Sequence, residues 1–429
     1  MKFAALTLAR VGGLILLAPL PASAQLGLPS LNLPQRIGPL DLDRVRGPAE
    51  RLVDRTPLPE LGRVRLDQVN ALLARYPTLI EADPLGNPAV RGEVLGANPS
   101  GEGMRTAERL GLSLAREEHY PELGQRLVVL RLPAGASAAA LLAALRAADP
   151  AGAYDYNHVF TGSGAAGPQG DTPALAHAGG QLRQVRIGLV DSGVDRQHPV
   201  FAGARPTLWG CADAAHPAPH GTAVAALMVG DAPAFRGAAP GAALYAADVY
   251  CDSPTGGSVD RITQALAWLA RERVGVINIS LVGPANAALG RAVAAMQARG
   301  HLIVAAVGND GPAAPPLYPA SYPGVVGVSG VDRRGRPLPE AARGPQVTFA
   351  APGSQMVSAA PGTPPYRQVR GTSFAAPIVA ALLAPHLPET DPAAARVALT
   401  KLGGAARMDD AVGFGIVGAE VRTDPASMR

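Results

Sequence analysis

Arg186-Ile187-Gly188-Leu189-Val190-Asp191-Ser192-Gly193-Val194-Asp195 is the stretch on which the reading of the fold turns. Its apolar part shows no alternation with polar residues, so both faces of the strand must be covered, as in a parallel sheet. It stops at a carboxylate followed by small residues, where the chain can turn sharply. Working outward, apolar runs recur at residues 243–249, 274–279, 302–306 and 325–328. Helical patterns at residues 221–229, 259–271 and 286–299 separate several of them. Short buried strands alternating with helices predict an α/β fold, a doubly wound, mostly parallel sheet with helices on both faces. In such a sheet, functional groups collect at the carboxyl ends of strands and the amino ends of helices.

Three short motifs fall at such places: Asp191 at the end of its strand, His220-Gly221-Thr222 opening a helix, and Gly371-Thr372-Ser373-Phe374-Ala375-Ala376-Pro377 opening another. Taken singly, they read as a turn carboxylate, a helix cap and an N-cap pair. Taken together, they supply what a serine nucleophile needs. Imidazole titrates near 6.5 and can take the hydroxyl proton, and a buried carboxylate fixes its tautomer. The order Asp–His–Ser closely resembles that of the subtilisin-like serine peptidases over residues 185–419. The resemblance implies a triad of Asp191, His220 and Ser373, and an oxyanion-binding Asn309 within Val304-Ala305-Ala306-Val307-Gly308-Asn309-Asp310-Gly311. It implies substrate pairing along Ser280-Leu281-Val282-Gly283 and a primary pocket bordered by Gly308 and Leu317. Val282 and Leu317 replace glycines common in relatives, which predicts a pocket favouring small or unbranched residues over aromatic ones. No Glu stands where a sedolisin would carry one at His220, and no G-x-S-x-G turn surrounds Ser373. A catalytically silent, peptide-binding relative is the alternative; possession of all four polar groups argues against it.

Ahead of this domain, Met1-Lys2 and Arg10, an apolar run and Ala22-Ser23-Ala24 have the pattern of a secretory signal peptide cut after Ala24. Export to the periplasm or the extracellular space follows, with no membrane span left after cleavage. Residues 25–88 form a Pro/Leu-rich lead segment with one helical pattern at residues 66–75. Residues 89–160 alternate as β-α-β-β-α-β, a ferredoxin-like order, which the resemblance turns into a propeptide acting as intramolecular inhibitor and folding aid. A Gly/Pro/Ala-rich stretch over residues 161–180 reads as an exposed linker with the self-processing site, between Phe160 and His177, and the peptidase domain follows from residue 181. In an oxidising compartment Cys211 and Cys251 are expected to pair. The 38 basic and 34 acidic residues leave a net charge of +4. They form no basic stripe with interleaved aromatics, so no nucleic-acid partner is expected. No cluster of metal-ligand spacing stands out and no cofactor is implied; relatives often carry Asp two residues after a His-Pro pair, and here His198-Pro199 is followed by Val200-Phe201, so the resemblance implies no tight calcium site while leaving weaker ones open. Polypeptide substrates and a monomeric state complete the expectation.

Overall fold

The computed structural model describes residues 58–425, apart from residues 163–164, 170–181, 183, 234 and 404–406. The expected signal peptide and most of the lead segment lie outside the described residues. The lead helix, α1 (Leu58–Arg75), starts earlier than the pattern predicts.

A five-stranded antiparallel sheet follows. It contains β1 (Ile80–Ala82), β2 (Pro88–Ala97), β3 (Ser113–Tyr120), β4 (Gln125–Arg131) and β5 (Ala153–His158), with α2 (Gly101–Arg109) after β2 and α3 (Ala138–Ala148) after β4. The order β5-β2-β4-β3 is the split β-α-β arrangement read from the sequence. β1 pairs with the start of β2, so the module begins before residue 89. Each helix starts on a serine: Ser100 Oγ accepts from Gly103 N at 3.1 Å, and Ser137 Oγ from Ala140 N at 3.4 Å. The strands bury alternate residues on opposite faces. Val94, Val128 and Leu130 pack with Leu142 and Leu145 under α2 and α3. Leu95, Leu127 and Val129 face the other way and join the core of the following domain.

That domain is built on seven parallel strands. In chain order they are β8 (Arg186–Asp191), β9 (Thr207–Trp209), β12 (Ala243–Asp248), β13 (Val276–Ile279), β15 (Leu302–Ala306), β16 (Val326–Val331) and β17 (Val347–Pro352), arranged β17-β16-β15-β13-β8-β12-β9. The labels β10 (Asp231–Ala232) and β11 (Phe235–Arg236) denote a short hairpin, and β14 (Leu281–Val282), β18 (Met356–Ala359) and β19 (Tyr366–Arg370) lie off the main sheet. Two helices, α4 (Pro219–Val229) and α7 (Thr372–Leu383), pack on the face bearing Ile187, Leu189 and Val304. On the opposite face, with Val190, Ile277 and Ile303, lie α5 (Val259–Arg271) and α6 (Ala287–Ala298). A last helix, α8 (Pro392–Gly403), packs at the edge of the first layer.

One expectation fails here. The stretch after Phe160 is not a free linker where it is described. β6 (Thr161–Gly162) pairs antiparallel with β14, and β7 (Ala165–Gln169) pairs antiparallel with β19. Gly, Ala and Thr supply backbone donors and acceptors without bulky side chains, so a linker composition also suits a segment paired through its main chain.

Candidate active site

Parallel pairing places Asp191 and Asp248 in register at the carboxyl ends of β8 and β12. Asp191 is fully buried, and its Oδ1 accepts from Ser192 N at 2.7 Å, from Ser192 Oγ at 3.1 Å and from His220 Nδ1 at 2.8 Å. His220 is the second residue of α4, after Pro219, whose missing N–H costs nothing in the first turn. Gly221 lets the helix start lie against the Asp191 loop. A Cβ there would fall well inside contact distance of Ser192 O, and Gly221 N instead donates to Ser192 Oγ at 3.0 Å. With Nδ1–H given to Asp191, Nε2 is the basic nitrogen, buried and without a hydrogen-bond partner among the described residues.

Ser373 is the second residue of α7, which starts from Gly371 at φ 127°. The next residue, Phe374, sets its ring against His220 in a tilted contact with centroids 5.3 Å apart, so the helix start and the imidazole share one cleft. Ser373 Oγ donates to Ser280 O at 3.2 Å. Pro377 removes the N–H that would bond Ser373 O within the helix. Ser280 Oγ donates to that carbonyl at 2.9 Å instead, and is itself held by Asn278 Nδ2 at 2.8 Å. The serine is thereby tied to the strand that precedes β14.

Asn309 follows β15. Its Oδ1 accepts from Thr372 N at 3.0 Å, which leaves the amide nitrogen to face elsewhere, and Gly308 N donates to Thr372 Oγ1 at 3.2 Å. Leu317 is buried, with Cδ1 2.5 Å from where a Cβ on Gly308 would stand, so the two border one space. Tyr318, next to it, exchanges backbone hydrogen bonds with Gly283 at 3.0 Å each. Val282 joins β14 through its backbone and buries its side chain.

Residues 183–415, over half of the chain, match the description "Subtilase family". The chain belongs to the subtilase family. It is 32% identical to the subtilisin of Bacillus pumilus over 217 residues, which are 48% of this chain and 78% of that protein. It is 31% identical to subtilisin E of Bacillus subtilis (strain 168) over 217 residues, 48% of this chain and 56% of that protein, so it spans little more than half of subtilisin E. The crystal structure of fervidolysin from Fervidobacterium pennivorans, a keratinolytic enzyme related to subtilisin, shares the fold: the TM-score is 0.62 at 19% identity, covering 78% of this chain and 61% of that one. This subtilase is a serine endopeptidase with the α/β architecture expected from its sequence.

Several neighbours of the cleft carry no sequence motif. Phe160 N donates to Gly257 O at 2.9 Å, and Tyr250 Oη donates to Phe160 O at 2.8 Å. The buried Phe160 ring lies flat on Gly283, where a Cβ would come within 2.7 Å of it. Gly256-Gly257 ahead of a helix is the one signal that a backbone passes close by. Cys211 and Cys251 form a disulfide, with Cα atoms 5.2 Å apart, and Arg261 Nη2 donates to Cys251 Sγ at 2.9 Å. Asp248, Cys211 and Cys251 cluster tightly enough to hold an ion, but both sulfurs are spent in the disulfide. His198 uses both ring nitrogens structurally, toward Val200 N at 3.2 Å and Pro365 O at 2.8 Å, and burial lowers its pKa.

Proposed function

We propose that the chain is an exported, self-processing precursor of a serine endopeptidase, with Asp191, His220 and Ser373 as the triad and Asn309 as an oxyanion donor. His220 Nε2 takes the Ser373 Oγ proton while Oγ attacks the scissile carbonyl carbon, and the imidazolium that forms faces the Asp191 carboxylate. The Asn309 amide nitrogen and the Ser373 backbone N–H receive the charge on the carbonyl oxygen. The same imidazolium gives its proton to the leaving amine, which departs as the acyl-enzyme forms. Water, deprotonated by His220, then releases the acyl group and restores Ser373.

The observation that carries the processing half is the register of β6. Leu281 pairs with Gly162 and Val282 with Thr161. A Cβ on Gly162 would lie 3.5 Å from His220 Nε2. Ser280, the residue before Leu281, has the carbonyl that receives the Ser373 hydroxyl. On the far side Ala165 pairs with Arg370, three residues before Ser373. We put the cut between β6 and β7, at Ser163–Gly164, so that residues 80–163 act as the propeptide, with Phe160 as its apolar anchor. Leu317 beside Gly308 narrows the pocket for the residue before the cut, in keeping with Ser163 there and with a preference for small or unbranched side chains. A fluorophosphonate tests the triad: it should label Ser373 of the processed chain and fail on His220→Ala. No label on processed wild-type protein would favour a silent peptide-binding relative instead.

A further inference from the structure

The lead helix α1 precedes the propeptide and carries no motif, yet it reaches the site. Arg65 Nη1 donates to Asp310 Oδ2 at 3.2 Å across 245 residues of chain, with side chains 21% and 15% exposed. Asp310 directly follows Asn309. Its loop is otherwise anchored by Gly308 N on Thr372 Oγ1, Asn309 Oδ1 on Thr372 N, and Gly311 N on Glu340 O at 2.8 Å. Glu340 in turn grips Arg370 through two hydrogen bonds of 2.7 and 2.9 Å, and Arg370 is the partner of Ala165 in β7. The helix, and β6 with β7, thus converge on one cleft from two separate stretches of sequence. Burial pushes the Asp310 carboxyl up while the Arg65 charge pulls it down. An exposed ion pair would contribute little; this one is largely shielded and joins two segments that a cut at Ser163–Gly164 leaves covalently separate.

We infer that α1 is a latch: the Arg65–Asp310 pair keeps the cut N-terminal part on the loop that bears Asn309, so that release is slower than cleavage. The inference rests on the processing proposed above. Arg65 is absent from the processed enzyme, so precursors with and without Arg65→Ala yield identical mature chains. Cleavage, followed by gel, should proceed within about twofold in both. The lag between cleavage and peptidase activity should shorten roughly three- to tenfold in Arg65→Ala, the ratio expected from losing about 1 kcal/mol. The wild-type lag should also shorten in high salt, and Arg65→Lys should restore part of it. Equal lags overturn the latch. Hydrogen exchange on precursors carrying Ser373→Ala gives a second reading, in which Arg65→Ala should speed exchange of the 65–75 amides while β2 and β4 stay protected. Unchanged exchange there overturns it as well. If neither chain is cut, the processing reading has failed, and the exchange comparison still decides the latch.

Discussion

The peptidase domain closes both faces of its sheet with its own helices, α4 and α7 on one side and α5 and α6 on the other. The module does not. Its helices α2 and α3 cover one face, and the other face, with Leu95, Leu127 and Val129, is covered by α5 and α6 of the neighbouring domain. The contact between them is also rich in polar groups. Arg116 binds Glu93 at 2.8 Å and Asp260 at 3.0 Å, and Asn157 Nδ2 donates to the same two carboxylates at 3.1 and 3.2 Å. Asp155 Oδ2 accepts from Ala287 N at 2.8 Å, at the start of α6. A core that excludes polar groups is built to persist; a face that mixes them with leucine resembles a separable interface. On the processing proposed above, that difference separates the part that stays from the part that leaves.

The largest effect expected within this contrast is on the module's own core. Leu145 is fully buried between α3 and the sheet, so Leu145→Ala should cost about 2–5 kcal/mol. Thermal unfolding of the precursor should show the loss, whereas any mature enzyme obtained should melt unchanged. A mature enzyme that also melts lower would erase the distinction between the two regions. A smaller effect is expected on the other side of the proposed cut. Leu317→Gly should raise kcat/KM for aromatic residues before the scissile bond, relative to alanine, by roughly 10–200-fold, as about 1–3 kcal/mol of misfit is relieved. An unchanged ratio in a peptide-library profile would mean that Leu317 does not border that pocket.

The smallest effect concerns acid. Burial pushes the Asp83 carboxyl up, but hydrogen bonds from the His158 and Asn87 side chains and from the Asn87 and Leu85 amides outweigh it and hold the pKa at about 2. His158, through Nδ1, meets Asn286 Nδ2 at 3.1 Å, and Asn286 cannot flip because its Oδ1 caps α6. A carboxyl depressed in the folded state stabilises it above the unfolded pKa near 3.8, and that stabilisation fades as pH falls toward 2. Asp83→Asn should therefore flatten the acid limb of unfolding of the Ser373→Ala precursor between pH 4 and about 2, where these pKa values lie. An acid limb identical to that of the unsubstituted precursor would show that Asp83 does not carry it.

Much of the peptidase domain is legible because its signals are local. Strands such as Ile303-Val304-Ala305 announce themselves by composition, and Asp191, His220 and Ser373 sit in short motifs at strand and helix ends. Ser100 is likewise readable as a cap. Less legible are short strands off the main sheet. β6 and β7 look like linker because their Gly, Ala and Pro carry no pattern of two, and β18 and β19 are short strands between turns, outside the main sheet. Least legible are contacts set by tertiary packing, such as Arg65 on Asp310, or Phe160 on Gly283. No local spacing marks either pair; only the strand order brings them together.

The central claim is that the chain cuts itself between β6 and β7, with Ser373 as the nucleophile. Mass spectrometry of the protein, purified in parallel with Ser373→Ala under conditions free of other proteases, tests it most directly. The account predicts a mature chain beginning at Gly164 for the wild type and a single uncut chain for the variant. Cleavage of the variant at the same bond, or a wild-type cut outside the segment between β6 and β7, would contradict it.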